Sequence, residues 1–74
     1  MSAIDYSKLK GRIAEKGMSQ RSLAKAAGIS ESQLSKKLAN EFPFKQPEIF
    51  SICSVLDILP TEIGTYFFTE VVAK

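Results

Sequence analysis

Two serine-capped segments separated by one glycine turn constrain the fold of this chain more than any other feature. Ser19 precedes segment 20–27, and Gly28 follows it as the residue best suited to a left-handed helix end. Ser30 and Gln33 then form the S-x-x-Q pattern of a capping box. This spacing predicts two short helices joined by a tight turn, with the second starting at once after the first.

The apolar residues of these segments have the spacing that packs one helix against the other. Leu23 and Ala24 recur at helical intervals, and a small residue at Ala24 lets the two helices approach closely. Ile29 is predicted to fill the corner, while Leu34 and Leu38 face the core. Together the pattern predicts a helix-turn-helix unit over residues 19–38.

Further helices are predicted on both sides of this unit. One runs from a cap at Asp5 or Ser7 to Lys16 and is closed by Gly17, and the helix after Ser30 ends near Asn40. After a linker at 41–45, a fourth helix is predicted from a Gln46 cap with Pro47 in its first position. Its apolar stripe is Ile49, Ile52, Cys53 and Leu56.

The end of the chain predicts a short fifth helix and then a different conformation. Pro60 opens that helix, and Gly64 is expected to break it. Residues 65–72 are rich in aromatic and β-branched residues, which favour a packed tail or a dimer-forming strand. The predicted fold is therefore all-α, one helix-turn-helix domain over 1–74 with a five-helix core at about 5–64 and a short apolar tail at 65–74.

Composition argues against catalysis and metal binding. A single cysteine, Cys53, and no histidine leave no common set of zinc or haem ligands and remove the commonest general base. No glycine-rich phosphate loop is present, and the carboxylates form no motif. We expect neither an enzyme nor a binder of a cofactor, metal or small-molecule substrate, and Cys53 is expected to be a buried apolar residue.

The sequence also gives no reason to expect a membrane protein. Its apolar runs are shorter than the roughly 18 to 20 residues needed to cross a bilayer, and residues 1–6 lack the pattern of a secretory signal. No segment combines a broad apolar face with a dense basic one. A cytoplasmic location is expected.

Charge is divided unevenly along the chain. Residues 1–45 hold nine Lys/Arg against four Asp/Glu, a balance of +5, and residues 46–74 hold one against four, a balance of −3. This asymmetry indicates that the first half meets a polyanion while the second faces solvent or a partner.

Residues 19–38 resemble the helix-turn-helix of the Cro/repressor (C1, XRE-like) family of bacterial and phage regulators, and the likeness extends over about 5–64. Residues 4–13 (Ile-Asp-Tyr-Ser-Lys-Leu-Lys-Gly-Arg-Ile) and 62–68 (Glu-Ile-Gly-Thr-Tyr-Phe-Phe) are similar to small switch proteins of temperate phages of Gram-positive hosts. The resemblance implies a five-helix fold, a homodimer on a two-fold related operator in double-stranded DNA, and a bacterial host cell.

Helix geometry selects the residues predicted to meet that DNA. With Leu34 and Leu38 facing inward, Ser32 and Lys36 lie opposite, flanked by Gln33 and Ser35. The predicted base contacts are Glu31, Ser32, Gln33 and Lys36. The predicted phosphate contacts are Gln20, Arg21, Ser35, Lys37 and Lys45. Gln20 resembles a family position that touches a phosphate or braces the recognition helix.

A second function is also compatible with the sequence. Consecutive apolar residues in the tail cannot all face inward, so an oligomer or partner interface is predicted at Tyr66, Phe67, Phe68, Val71 and Val72. Phe42, Phe44, Phe67 and Phe68 are more typical of core residues than of base-stacking platforms. The main hypothesis is a Cro-like repressor of a lysis/lysogeny switch; the alternative is an antirepressor that binds a second phage repressor protein.

Overall fold

Helices dominate the computed structural model, which describes residues 3–70. They are α1 (Ser7–Glu15), α2 (Gln20–Ala27), α3 (Glu31–Leu38), α4 (Gln46–Leu56) and α5 (Ile63–Phe67), with a 3₁₀ turn at Pro60–Glu62 before α5. Extended pairing in this part of the chain is limited to one antiparallel bridge between Ile4 and Glu70. The predicted all-α, five-helix fold is confirmed.

Serine side chains start the two central helices where the sequence predicts, and a glycine ends the first of them. The Ser19 hydroxyl accepts a hydrogen bond from the Ser22 amide at 3.1 Å, and the Ser22 hydroxyl accepts from the Ser19 amide at 2.9 Å. Ser30 caps α3 by accepting from the Gln33 amide at 3.1 Å, but the Gln33 side chain returns no hydrogen bond, so the predicted capping box is only half formed. Gly28 ends α2 with φ of +75°. This left-handed backbone conformation is strained for residues with a side chain and relaxed for glycine.

The start of α4 is displaced by one residue from the prediction. Lys45, not Gln46, is the N-cap, so that Gln46 is the first helical residue and Pro47 the second. Glu48 explains the shift, because its carboxylate accepts a hydrogen bond from the Lys45 amide at 2.8 Å. A carboxylate in the first turn satisfies one of the backbone donors that a helix leaves unpaired there.

The predicted break at Gly64 and extended structure after it are wrong as far as Phe67. Helix α5 passes through Gly64, and Ile63, Tyr66 and Phe67 share the face that packs on the core. A glycine inside a helix costs about 1 kcal/mol, whereas burying a large apolar side chain contributes about 1.5 to 3 kcal/mol. Phe67 is 2% exposed, so its burial outweighs both the glycine and the local β-propensity.

The core lies where the five helices meet. Its fully buried side chains are Leu9, Leu23, Leu34, Ile52, Leu56 and Phe67. Tyr6, Phe44 and Phe67 form two edge-to-face pairs, each with ring centroids 5.4 Å apart. Cys53 is buried among them as predicted, and this burial raises the pKa of its thiol.

A side-chain clamp ties the start of the described chain to the end of α3. Asn40 has φ of +65°, and its side-chain oxygen accepts from the Ile4 amide while its side-chain nitrogen donates to the Ile4 carbonyl, both at 2.9 Å. On the other side, the Asp5 amide donates to the Thr69 carbonyl at 2.6 Å. Ile4 is therefore held between α3 and the segment that follows α5.

Two substitutions at Asn40 should show how much stability comes from its left-handed backbone conformation and how much from its hydrogen bonds to Ile4. Asn40→Ala is expected to lower the free energy of unfolding by about 2 kcal/mol, because it strains a left-handed position and removes both hydrogen bonds. Asn40→Gly keeps the backbone conformation and should cost about 1 kcal/mol. Urea denaturation measures both values, and equal losses for alanine and glycine would contradict the strained-backbone argument.

In the described part of the chain, no single helix has both the length and the apolar composition needed to cross a bilayer. Helices Gln46–Leu56 and Pro60–Phe67 meet both requirements only when taken together, and that pair is bent by 115°.

Candidate interaction surfaces

The outer face of α3 carries the polar residues that the sequence assigns to base contact. Glu31, Ser32, Gln33 and Lys36 are all exposed, as is Ser35 beside them, while Leu34 and Leu38 are buried beneath. Helix α3 thus brings these side chains together on one accessible surface, called here the polar face. It holds one carboxylate and one ammonium group, so its formal charge is zero.

Lys37, predicted to contact phosphate, is instead buried. It is 4% exposed, and its ammonium group donates to the Glu48 carboxylate in a salt bridge. Burial raises the pKa of Glu48, but the Lys37 hydrogen bond, the Lys45 amide and both lysine charges outweigh it and hold that pKa below its usual value. The prediction that Lys37 contacts phosphate is therefore wrong, since a buried lysine paired with a carboxylate does not reach a phosphate group.

Other predicted phosphate contacts remain on the surface. Gln20 and Arg21 are exposed at the start of α2, and Lys45 is exposed at the N-cap of α4. Their positions allow a contact with a bound partner, and Lys45 lines a depression together with Gln33 of the polar face.

Two more basic residues of the first half are occupied within the chain. Arg12 donates to the carbonyls of Leu56 and Asp57, at 2.9 and 3.1 Å, and so satisfies the open C-terminal end of α4. Lys16 pairs with the Asp57 carboxylate at 2.7 Å, which lowers the pKa of Asp57. Part of the +5 balance of the first half is thus matched by acidic or carbonyl partners from the second.

The residues predicted as a partner interface are only partly accessible. Phe67 is a core residue, and that prediction is wrong because its ring packs edge-to-face on Phe44. Tyr66 is half-buried, whereas Phe68 is 59% exposed. Val71 and Val72 lie outside the described residues.

The structure has an exposed apolar surface near Phe68 that the sequence patterns do not predict as a whole. Two adjoining depressions of about 500 and 410 Å³ share Phe44, Ile49 and Phe68 in their walls. Phe42, 49% exposed, lines the first, and Phe50, 56% exposed, lines the second. We call this surface the aromatic groove, and it corrects the expectation that Phe42 and Phe68 are core residues.

One sequence signal could have located part of the aromatic groove. Phe50 follows Ile49 directly, so it falls off the apolar stripe of α4 and must point away from the core. A large aromatic residue on the polar side of an amphipathic helix is a candidate contact residue. Phe42 and Phe68 lie in other elements, and sequence spacing does not connect them to Phe50.

Comparison with known proteins places the chain in a family. Residues 1–70 match the family model described as "Protein of unknown function (DUF739)". The chain belongs to the DUF739 family. No curated protein sequence matches this DUF739 member.

A solved structure shows the same fold. The DUF739 chain is similar to the solution structure of the modulator of repression (MOR) of the temperate bacteriophage TP901-1 from Lactococcus lactis. The two are 41% identical, superpose with a TM-score of 0.76, and match over 89% of each chain. The neighbour is a small phage regulator, which agrees with the kind of protein that the helix-turn-helix unit predicts.

Two surfaces of this DUF739 member are therefore candidates for function. The polar face of α3 offers hydrogen-bonding groups without net charge. The aromatic groove offers half-exposed rings in a concave surface, and such patches mark contact sites in small proteins.

Proposed function

We propose that this chain is a modulator of phage repression that acts by binding a repressor protein. The observation that carries the proposal is its likeness to the modulator of repression of phage TP901-1, at 41% identity and a TM-score of 0.76 over 89% of both chains. Identity at this level over nearly the whole chain supports a shared role as well as a shared fold.

Electrostatics supports a protein partner over duplex DNA. Affinity for DNA comes largely from lysine and arginine contacts to phosphates, with one counterion released for each. The polar face carries one free ammonium, Lys36, against the carboxylate of Glu31, and Lys37 is spent on Glu48 inside the fold. An operator-reading helix with no net positive charge is poorly suited to hold DNA on its own.

Exposed aromatic residues support the same partner class. Phe42, Phe50 and Phe68 are each about half exposed, whereas Phe67 is buried in the core. Aromatic residues are enriched at protein interfaces, because they bury a large area with little loss of side-chain freedom.

A second candidate is a Cro-like repressor that binds its operator as a homodimer. It is favoured by the exposure of Ser32, Gln33 and Lys36 on the second helix of a helix-turn-helix unit. Glutamine can pair with adenine, lysine with guanine and serine with either base in the major groove. In this case binding would depend steeply on salt and on those three side chains.

One titration distinguishes the two functions. A purified phage repressor is titrated onto its labelled operator, with and without the chain, and a scrambled duplex serves as control. We expect the chain to change the repressor's apparent operator affinity at least tenfold while binding neither duplex specifically by itself.

The contrary result is equally clear. Specific, salt-sensitive operator binding by the chain alone, lost in a Ser32→Ala, Gln33→Ala, Lys36→Ala variant and without effect on the repressor, would support the Cro-like function instead.

A further inference from the structure

We propose that the aromatic groove is the repressor-binding site and that its occupant is an amphipathic helix of the repressor, with apolar anchors flanked by basic residues. This inference rests on the proposed function and names the surface and the chemistry by which it works. It assigns the partner contact to the side of the chain formed by α4, α5 and the 40–44 loop, which meets the polar face only at Phe42 and Pro43.

The shape of the groove fits side-chain anchors. Its two depressions adjoin through Phe44, Ile49 and Phe68, so they can take two successive apolar side chains from one segment. Phe42 stands at one depression and Phe50 at the other, each about half exposed. An amphipathic helix offers apolar residues at i and i+3 or i+4, which is the spacing that two neighbouring pockets require.

The floor of the groove is already packed in the free protein. Phe44 is held by edge-to-face contacts with Tyr6 and Phe67, both buried, and Ile49 is only 9% exposed. A binding surface that keeps its shape in the free protein loses little conformational freedom on association. The exposed rings at the rim are therefore presented on a fixed support.

The backbone bordering the groove does not favour a bound strand. Ile4 lines the first depression, and its amide and carbonyl are both occupied by the Asn40 side chain. The neighbouring Asp5 amide is bonded to Thr69. A peptide adding to this edge as a strand would have to displace those bonds, whereas a helix needs only the side-chain pockets.

Charge selects a basic partner. Residues 41–70 contain one basic residue, Lys45, and five acidic ones, of which Glu48 and Asp57 are paired with Lys37 and Lys16. The other three acidic residues still outnumber the one basic residue. Glu41 lines the first depression, and Glu70 pairs with Ile4 at its edge. A repressor that binds DNA carries clustered lysine and arginine residues, so its surface complements this acidic rim.

The test measures binding of the full chain to the purified phage repressor whose operator affinity it changes, by isothermal titration calorimetry, for the wild type and three variants. Phe50→Ser and Phe68→Ser each remove a ring from the groove, and each is expected to weaken binding about thirtyfold or more. Leu59→Ser is the matched control, since Leu59 is 61% exposed and lines neither depression. Its affinity should stay within about twofold of the wild type.

A charge reversal, Glu41→Lys with Glu70→Lys, tests the basic occupant. Because it replaces two acidic residues at the rim by basic ones, it should slow association about tenfold or more at low salt, and added salt should reduce the difference. Circular dichroism melts confirm that every variant folds, as expected for substitutions at exposed positions.

Each outcome decides a separate point. If the wild type does not bind the repressor, the proposed function fails and this inference fails with it. If the wild type binds and the groove variants bind equally well, the function stands and the groove assignment is overturned. If sedimentation shows a wild-type dimer that Phe50→Ser and Phe68→Ser dissociate, the occupant is a second copy of this chain and not a repressor helix.

Discussion

Phe67→Ala is expected to lower the free energy of unfolding by about 3 to 5 kcal/mol. Phe67 is 2% exposed, and alanine would remove an entire buried ring together with its edge-to-face contact with Phe44. A chain of 74 residues has a total stability of only about 4 to 11 kcal/mol. Urea denaturation should therefore show a variant that is largely unfolded or close to it at physiological temperature.

The adjacent residue provides a matched control. Phe68 is 59% exposed, so Phe68→Ala should change the free energy of unfolding by less than about 1 kcal/mol. The contrast between neighbouring phenylalanines tests whether α5 continues through Gly64 and places only Phe67 in the core. Comparable losses for the two variants would contradict this arrangement.

Lys37→Ala is expected to cost about 2 to 3 kcal/mol, although the substitution is in a helix that alanine favours. Removing the lysine leaves the Glu48 carboxylate, whose side chain is 19% exposed, without its charged partner. Because Glu48 is still partly exposed, the stability lost is smaller than for a fully buried unpaired charge. Chemical denaturation at neutral pH measures this change in the free energy of unfolding.

A double variant and a pH series isolate the ion pair. Lys37→Met with Glu48→Gln removes both charges and should recover most of the lost stability. Because the folded-state pKa of Glu48 lies below its ordinary value of 4.5, its contribution is complete above that pH. It is lost as pH falls through the lower, folded-state pKa, so Glu48→Gln should flatten the acid limb of stability against pH. An unchanged acid limb would show that Glu48 is not stabilised by this pair.

The two central helices and the turn between them could be predicted because their signals are local. Ser19, Gly28 and Ser30 set helix ends through backbone hydrogen bonds and backbone conformation within a few residues. Spacing alone also places Leu34 inward and Ser32 outward, since both lie on one regular helix. These features depend on no contact that is distant in sequence.

The predicted end of the fifth helix failed because a distant contact decides it. Gly64 and the β-branched residues near it favour a break on local propensity. Phe67 instead reaches Phe44, more than twenty residues earlier, and that packing holds the helix. Burial of Phe67 outweighs the local propensity here, and the spacing of residues within α5 does not indicate that Phe44 is its packing partner.

The candidate site was predictable on one surface and not on the other. Exposure of the polar face follows from the periodicity of α3 alone. The burial of Lys37 depends instead on Glu48 of α4, which lies beside it and pairs with its ammonium group. The aromatic groove likewise needs Phe42, Phe50 and Phe68 from three separate elements. Such convergence depends on how elements pack, which periodicity within one element does not specify.

Direct titration of the chain into the purified repressor, without DNA and at a salt concentration that screens exposed charges, tests the central claim most directly. The account predicts a saturable complex, because apolar contacts in the aromatic groove persist when charges are screened. Absence of a complex, together with specific binding of the operator duplex by the chain alone, would contradict it and establish a DNA-binding regulator.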